Sequence, residues 1–242
     1  MQKLVYLATR SVTNMRSAVL ISLLLVGLVY ASCLGYAGRE KAAGPDDIFF
    51  DYTITGDEAN DSVTVILKFH EFSAYGQIVL FATEAFLDGS PMPVDSSSVT
   101  GPFFSLTKHK DAFTGKHSLS VTGSDGKKYK EQFTFRPFTV VSGLQDTMTR
   151  NRIVLQLEGI DKWDVMRVLL TDTSFTGQGI NRVDSMVNNK LVISRNELGY
   201  LENGPVNMEL IKENERPVEQ GTRAGGTLSV FYAVRREFFL KD

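Results

Sequence analysis

Three histidines, His70, His109 and His117, are the only ones in the chain. A zinc site gathers three or four nitrogen, sulfur or carboxylate ligands, and closely spaced pairs of them are its usual sequence sign. These histidines share no such spacing, and His117 opens an alternating row, so it reads as a ring buried at a strand end with a backbone hydrogen bond. Asp57, Glu58, Asn60 and Asp61 crowd one short stretch, GDEANDS. Calcium takes six to eight oxygens, but the glycine stands first and no closing glutamate follows, which leaves a solvated hairpin loop. Ser105-Leu106-Thr107-Lys108 has the spacing of a serine nucleophile with a lysine base. That chemistry needs the pair one helical turn apart. Here the segment alternates as a strand, which sets Ser105 and Lys108 on opposite faces. Gly177-Gln178-Gly179 lacks the following helix that a phosphate-binding loop needs. The residues therefore predict no catalytic centre, no metal site and no cofactor.

Two aromatic positions could bind. Trp163 stands among Asp161, Lys162 and Asp164, where an exposed indole could stack on a sugar ring. The alternative is a plug of the core or of a domain junction. Phe103-Phe104 after Pro102, and Phe238-Phe239, each put one ring on either face of a strand. The outward ring of each pair is then a binding candidate.

The elements that must position these residues read as strands. Phe50, Tyr52 and Ile54 alternate with polar residues, and so do Val63, Val65, Leu67 and Phe69. A period of two marks a half-buried strand. Leu119 and Val121 alternate on one side of Ser124-Asp125-Gly126, and Tyr129, Glu131, Phe133 and Phe135 on the other. Asp-Gly between alternating segments is a strong hairpin signal, because both central positions of a type I′ turn need positive φ. Pro137 to Gly143 looks like a boundary. Alternation resumes at Ile153 to Leu157, Asp164 to Leu170, Leu191 to Ser194 and Val206 to Leu210. Glu213 to Gly226 reads as a polar loop, with Pro217 and three glycines. A long last strand runs from Leu228 to Leu240. No segment keeps a helical apolar period over three turns. The prediction is an all-β chain of two tandem sandwiches, residues 46–139 and 143–242, with one larger all-β domain as the alternative.

Ahead of these lies an apolar run, Ala18 to Ala31, preceded by Lys3, Arg10 and Arg16 and by no acid. It falls short of the ~20 apolar residues a spanning helix needs and has the layout of an export signal. Counted from Met15 its proportions are ordinary. Val29-Tyr30-Ala31-Ser32-Cys33 resembles the lipobox of bacterial lipoproteins. That resemblance implies that residues 1–32 are a signal peptide, that Cys33 carries the lipid, and that residues 33–45 form a tether to the membrane. An uncleaved single-pass anchor and plain cleavage after Ala31 or Ala37 are the alternatives. Gly115 to Pro137 also resembles the closing hairpin of bacterial immunoglobulin-like domains, which implies immunoglobulin-like sandwiches and no activity. Asp61-Ser62-Val63, Asp146-Thr147-Met148 and Asp184-Ser185-Met186 resemble a three-residue O-glycosylation signal of some envelope bacteria.

Composition narrows the function. The 242-residue chain is 43% hydrophobic, enough for a sizeable core. Its net charge is −2, and since the basic leader holds no acid, the part after Cys33 is more acidic still. Such a chain does not gather nucleic acid by counterion release. Cys33 is the only cysteine, which excludes an internal disulfide and a thiolate metal cluster. The function expected is a lipid-anchored, non-catalytic envelope module for binding, adhesion or scaffolding. Its partner would be a protein or a glycan. A carbohydrate-binding accessory lipoprotein is the alternative, and an enzyme assembled from distant strands is a third.

Overall fold

The computed structural model describes residues 43–97, 99–162, 164–174, 178–186 and 188–242. Cys33 and its leader, and Trp163, lie outside the described residues. Residues Ala43–Asp242 form one compact unit. Its strands are, in chain order, β1 (Ile48–Asp57), β2 (Ser62–Glu71), β3 (Ala82–Leu87), β4 (Ser90–Pro91), β5 (Val94–Ser97) and β6 (Gly101–His109). Then come β7 (Gly115–Gly123), β8 (Lys128–Phe135), β9 (Thr139–Ser142), β10 (Thr147–Thr149) and β11 (Ile153–Glu158). After β12 (Val165–Asp172), β13 (Ile180–Ser185) and β14 (Lys190–Ile193), one short helix, α1 (Arg195–Leu198), precedes β15 (Gly204–Thr222) and β16 (Gly225–Lys241). Ser194 caps α1 by accepting from the Glu197 N–H, and Glu197 answers with its carboxylate on the Ser194 N–H. No helix among the described residues is long and apolar enough to cross a membrane.

The chain is all-β and builds two sandwiches in tandem. A nine-stranded sheet runs β13-β12-β15-β16-β1-β2-β6-β5, with β10 also paired to β16. A four-stranded sheet, β4-β3-β7-β8, covers the inner face of its first part, and a three-stranded sheet, β14-β11-β9, that of its second. The alternating residues of β1 and β2 supply the first core. Phe50 packs edge-on against Phe69 and Tyr129, with ring centroids 5.3 and 5.0 Å apart, and Phe81 lies 5.6 Å from Phe50. In the second core Leu155, Leu157, Leu191 and Ile193 meet Val168, Leu170, Val206 and Leu210, all fully buried. Tyr232 stands between the two, within 5.9 Å of Phe135 and 5.6 Å of Phe138.

Two features depart from the sequence reading. Glu213 to Gly226 is not a loop. β15 and β16 pair from Gly204↔Leu240 through Pro217↔Thr227, lose register over 218–221, and pair again at Thr222↔Gly225, where they turn at Arg223-Ala224. The polar residues there belong to a ribbon whose outer end leans on β8, where charge and not apolar burial makes the contact. Between Leu170 and Leu191, where the alternation shows no strand, the structure holds β13, paired to β12 from Val165↔Ser185 to Leu170↔Ile180.

The halves are not strung like beads. β1 pairs in parallel with β16, from Phe50↔Gly226 to Asp57↔Ala233, so a C-terminal strand completes the sheet of the N-terminal sandwich. The close approach needs a glycine at 226. A Cβ there would stand 2.5 Å from the Phe50 carbonyl oxygen and 2.7 Å from its Cβ. Neither atom can swing aside, so Gly226→Ala should cost about 1–3 kcal/mol as an overpacking strain. A urea titration of the variant measures it as a lower midpoint.

Candidate functional site

The residues that could do chemistry are held in structural roles. His117 lies beside a cavity of about 360 Å³ lined by Asp88, Lys116, Ser118, Gln132, Phe133 and Thr134. Its Nδ1 is 2.7 Å from Asp88 Oδ2, and its Nε2 is 2.6 Å from the Phe113 carbonyl oxygen. The ring stacks on Phe113 with centroids 3.8 Å apart. An Asp–His pair orients a general base only if the second nitrogen is free to face a substrate or a nucleophile. Here a backbone carbonyl occupies that nitrogen, and Ser118 bonds to Asp88 and not to the ring. Both ring nitrogens face acceptors, an arrangement the doubly protonated imidazolium satisfies in full. The backbone hydrogen bond expected for His117 is present.

This clamp carries a pH dependence. Burial pushes the Asp88 carboxyl up, but hydrogen bonds from His117 and from the Ser118 N–H, with the charge of His117, hold it below the usual carboxylate range. A carboxyl lowered in the folded state adds stability that is present above its unfolded value, near ~3.9, and is lost as pH falls through the lower folded value. Thermal unfolding followed from pH 5 down to pH 2 should therefore show a loss of stability that Asp88→Asn makes shallower.

The other candidates are similarly engaged. His70 is buried on the outer side of the large sheet, with Nδ1 3.2 Å from the Gly76 carbonyl oxygen and Nε2 3.5 Å from Asp51 Oδ2. His109 is exposed at the end of β6. In the acidic loop Asp57 accepts from the Asn60 N–H and side-chain amide, both at 2.7 Å. Glu58 pairs with Arg236, and Asp61 lies 3.9 Å from Lys110. Ser105 and Lys108 fall on opposite faces of β6. No group of three His, Cys, Asp or Glu side chains that could hold a metal occurs among the described residues.

Two surfaces remain that could bind. The first is the outer face of the nine-stranded sheet. Paired residues share a face, so the registers line up Leu169, Glu209 and Arg235 across β12, β15 and β16. They line up Ile211 with Ala233, Phe231 with Thr55 and Thr64, and Ile66 with Ser105. Leu169, Ile211, Phe231, Ile66 and Phe103 are each half-buried. The expected split of the aromatic pairs is seen. Phe104 and Phe238 are buried, whereas Phe103 lies on the outer face and Phe239 is 49% exposed. Phe103 sits opposite Asp95 of β5. A groove of about 480 Å³ crosses this face over Leu169, Thr171, Asn207, Glu209, Arg235 and Glu237.

The second is a cleft at the junction of the sandwiches, about 190 Å³, between Thr134–Arg136 and the segment carrying Asp161 and Asp164. Lys212 and Tyr232 also line it. Lys212 is 9% exposed, with Nζ 3.3 Å from the Gly159 carbonyl oxygen and 3.6 Å from Asp164 Oδ2. Burial pushes its ammonium below the usual lysine range, and Asp164 opposes that shift. Burial first, then Glu58 and Asp57, push the Tyr232 hydroxyl up to about 12. Arg136 pairs with Asp161 across the cleft. Trp163 lies between Asp161 and Asp164 in the chain. Sequence reasoning missed this cleft because its parts come from β8, β15, β16 and the β11–β12 connection, and no local spacing joins them.

No protein-family model matches the chain, and no curated protein matches it. Among solved structures it is similar to a tetra-tandem repeat from the extending region of a large adhesion protein. That similarity has TM-score 0.28 and 11% identity, over 78% of this chain and 49% of the other. It is also similar to a 1.5-MDa bacterial ice-binding adhesin, with TM-score 0.23 and 12% identity over 82% of this chain and 66% of that one. A third is SGBP-B of the Bacteroides ovatus mixed-linkage glucan utilization locus, in complex with a heptasaccharide. Its TM-score is 0.23 and its identity 12%, over 74% of this chain and 53% of that one. The chain thus spans between half and two thirds of the length of these structures, and scores of this size carry no functional argument.

Proposed function

We propose that the chain is a lipid-anchored, non-catalytic binding or scaffold protein of a bacterial cell envelope, held to the membrane through Cys33. The observation that carries the binding part is the outer face of the nine-stranded sheet. It crosses both sandwiches, and Leu169, Ile211, Phe231, Ile66 and Phe103 stand half-buried among charged neighbours. A flat apolar centre with a polar rim suits recognition of another macromolecule. The anchor rests on the leader and on the small residues before Cys33. Two or more acyl chains would give stable attachment at ~0.8 kcal/mol per buried CH₂.

A second reading, a glycan partner, is favoured by the junction cleft. Its lining balances Arg136 and Lys212 against Asp161 and Asp164, a set of donors and acceptors suited to neutral hydroxyls, and Trp163 neighbours it in the chain. A glycan array without a millimolar binder would remove that reading.

The experiment that tests the main proposal is mass spectrometry of the mature N-terminus, on protein made with its own leader in a bacterial envelope. An acylated Cys33 is the expected result. An intact leader, or an unmodified start after Ala31 or Ala37, would overturn the lipid anchor.

A further inference from the structure

β1 and β10 lie along the same edge of β16, both parallel to it, and a gap separates them. The β1 register ends at Asp57↔Ala233, with a last bond from the Glu58 N–H to the Ala233 carbonyl. The β10 register begins at Thr147↔Phe239, with the Phe239 N–H donating to the Asp146 carbonyl. Among the described residues no strand pairs with this edge from Val234 to Phe238, a length of ~16 Å at strand rise.

The direction of the backbone in the gap follows from its neighbours. Because the Ala233 carbonyl turns toward β1, the N–H and C=O groups of Arg235 and Glu237 turn the same way, since backbone direction alternates along a strand. They point away from β15 and into the gap. The Arg235 carbonyl accepts a 2.8 Å bond from the Arg236 guanidinium, which also pairs with Glu58. Among the described residues, the Arg235 N–H and both backbone groups of Glu237 remain without a backbone partner. A cavity of about 200 Å³, lined by Asp57, Glu58, Ala59, Ala233, Arg235 and Arg236, occupies the place where β1 would continue. The outer face beside it carries the Arg235 side chain, 60% exposed although it pairs with Glu209 at 2.6 Å and lies 3.9 Å from Asp57. Two positions on, the Glu237 side chain is exposed.

We propose that this gap is a strand-addition site for an extended segment of a partner protein, running parallel to β16. The segment carries an acidic residue opposite Arg235 and a basic residue two positions later, opposite Glu237. Main-chain bonds supply affinity in such an addition, and alternate side chains supply specificity. Opposite charges directly across a sheet are favourable and like charges unfavourable, so the order of the two charges sets the direction and register of the guest. The proposal narrows the binding role above to a protein partner and rests on that reading.

The test is residue-resolved amide hydrogen exchange on the full chain in detergent micelles. The probe is the peptide acetyl-Glu-Val-Lys-amide, whose three residues face Arg235 to Glu237 and whose caps end within the gap left between the Asp57↔Ala233 and Thr147↔Phe239 pairs. Exchange at the Arg235 and Glu237 amides should slow at least ~10-fold at saturating peptide, the protection expected of a new ladder bond. The same peptide with Glu and Lys exchanged should bind several-fold more weakly. A version N-methylated on the valine between the two charges should not protect at all. Glu237→Pro removes a donor facing the gap and none facing β15, so it should keep the unfolding midpoint near that of the parent and lose the protection. No protection at millimolar peptide, protection elsewhere only, or equal effects from the N-methylated peptide would overturn the proposal. Each of those results leaves the mass of the mature N-terminus, and with it the anchor reading, standing or falling separately.

Discussion

Residues 43–142 expressed alone will not fold to a native sandwich, and the intact chain will unfold in one cooperative step. The N-terminal half takes its sheet partner from the far end of the chain. Without β16, the inner-face residues of β1 lose Leu228, Val230 and Tyr232, all buried in the intact protein, along with the whole parallel ladder from Phe50 to Asp57. Burying one such side chain is worth ~1.5–3 kcal/mol, so three of them match a large part of a domain's ~5–15 kcal/mol. The fragment should expose Phe50 and Tyr52, bind hydrophobic dyes and aggregate through the bare edge of β1. Calorimetry of the intact protein should give one transition with equal calorimetric and van't Hoff enthalpies, and protease should spare Val140 to Leu144. Two resolved transitions, or a soluble fragment with native near-ultraviolet dichroism, would show that the halves are independent.

Arg216→Ala should destabilise the protein by about 3–5 kcal/mol, the scale for orphaning a buried charge. Glu131 lies on β8 with a side chain 2% exposed. Its carboxylate accepts from Arg216 Nη2 at 2.6 Å and from the Glu219 N–H at 2.6 Å. Arg216 also donates to the Gln132 carbonyl, and Gln220 accepts from the Lys130 N–H at 2.8 Å. The outer end of the β15–β16 ribbon is thus fastened to β8 by charge and backbone, with Val218 packed beside it against the core. Removing the arginine leaves the carboxylate with one donor in a dry place near Tyr52, whose hydroxyl is pushed up first by burial and then by Glu131. Glu131→Gln should recover much of the loss in the Arg216→Ala background, because a neutral amide is far cheaper to bury alone. Chemical denaturation of the four proteins gives the coupling directly. A loss below ~1 kcal/mol for the single variant would mean that the pair behaves as an ordinary surface ion pair.

The strands were legible wherever one face is apolar and the other polar. The alternation at Phe50-Tyr52-Ile54, at Val63 to Phe69 and at Tyr129 to Phe135 describes a side-chain pattern that only a half-buried strand satisfies. The hairpin at Ser124-Asp125-Gly126 joins β7 to β8 as the sequence implies, but only Gly126 takes positive φ, at +77°, so the turn is not the type I′ that Asp-Gly suggests. The outer end of β15 was illegible for a specific reason. Glu213 to Thr222 buries a charged contact and not an apolar row, so its period is masked by the residue types that also make loops. β13 was hidden likewise, since it lies at the edge of the large sheet with Asn181, Val183 and Ser185 exposed.

By itself the sequence determined the class of fold, the charge order around the apolar run Ala18 to Ala31, the outward turn of one ring in each of the pairs Phe103-Phe104 and Phe238-Phe239, and the lack of a locally spaced catalytic motif. These depend on neighbours in the chain, on periodicity and on charge order. The tertiary structure alone decided that β16 closes the first sandwich and that Arg216 finds Glu131. It also decided that a carbonyl closes off His117, and that a gap opens between β1 and β10. Each of these depends on pairing between residues far apart in the chain, and parallel pairing between distant strands leaves no mark in the local pattern of either one.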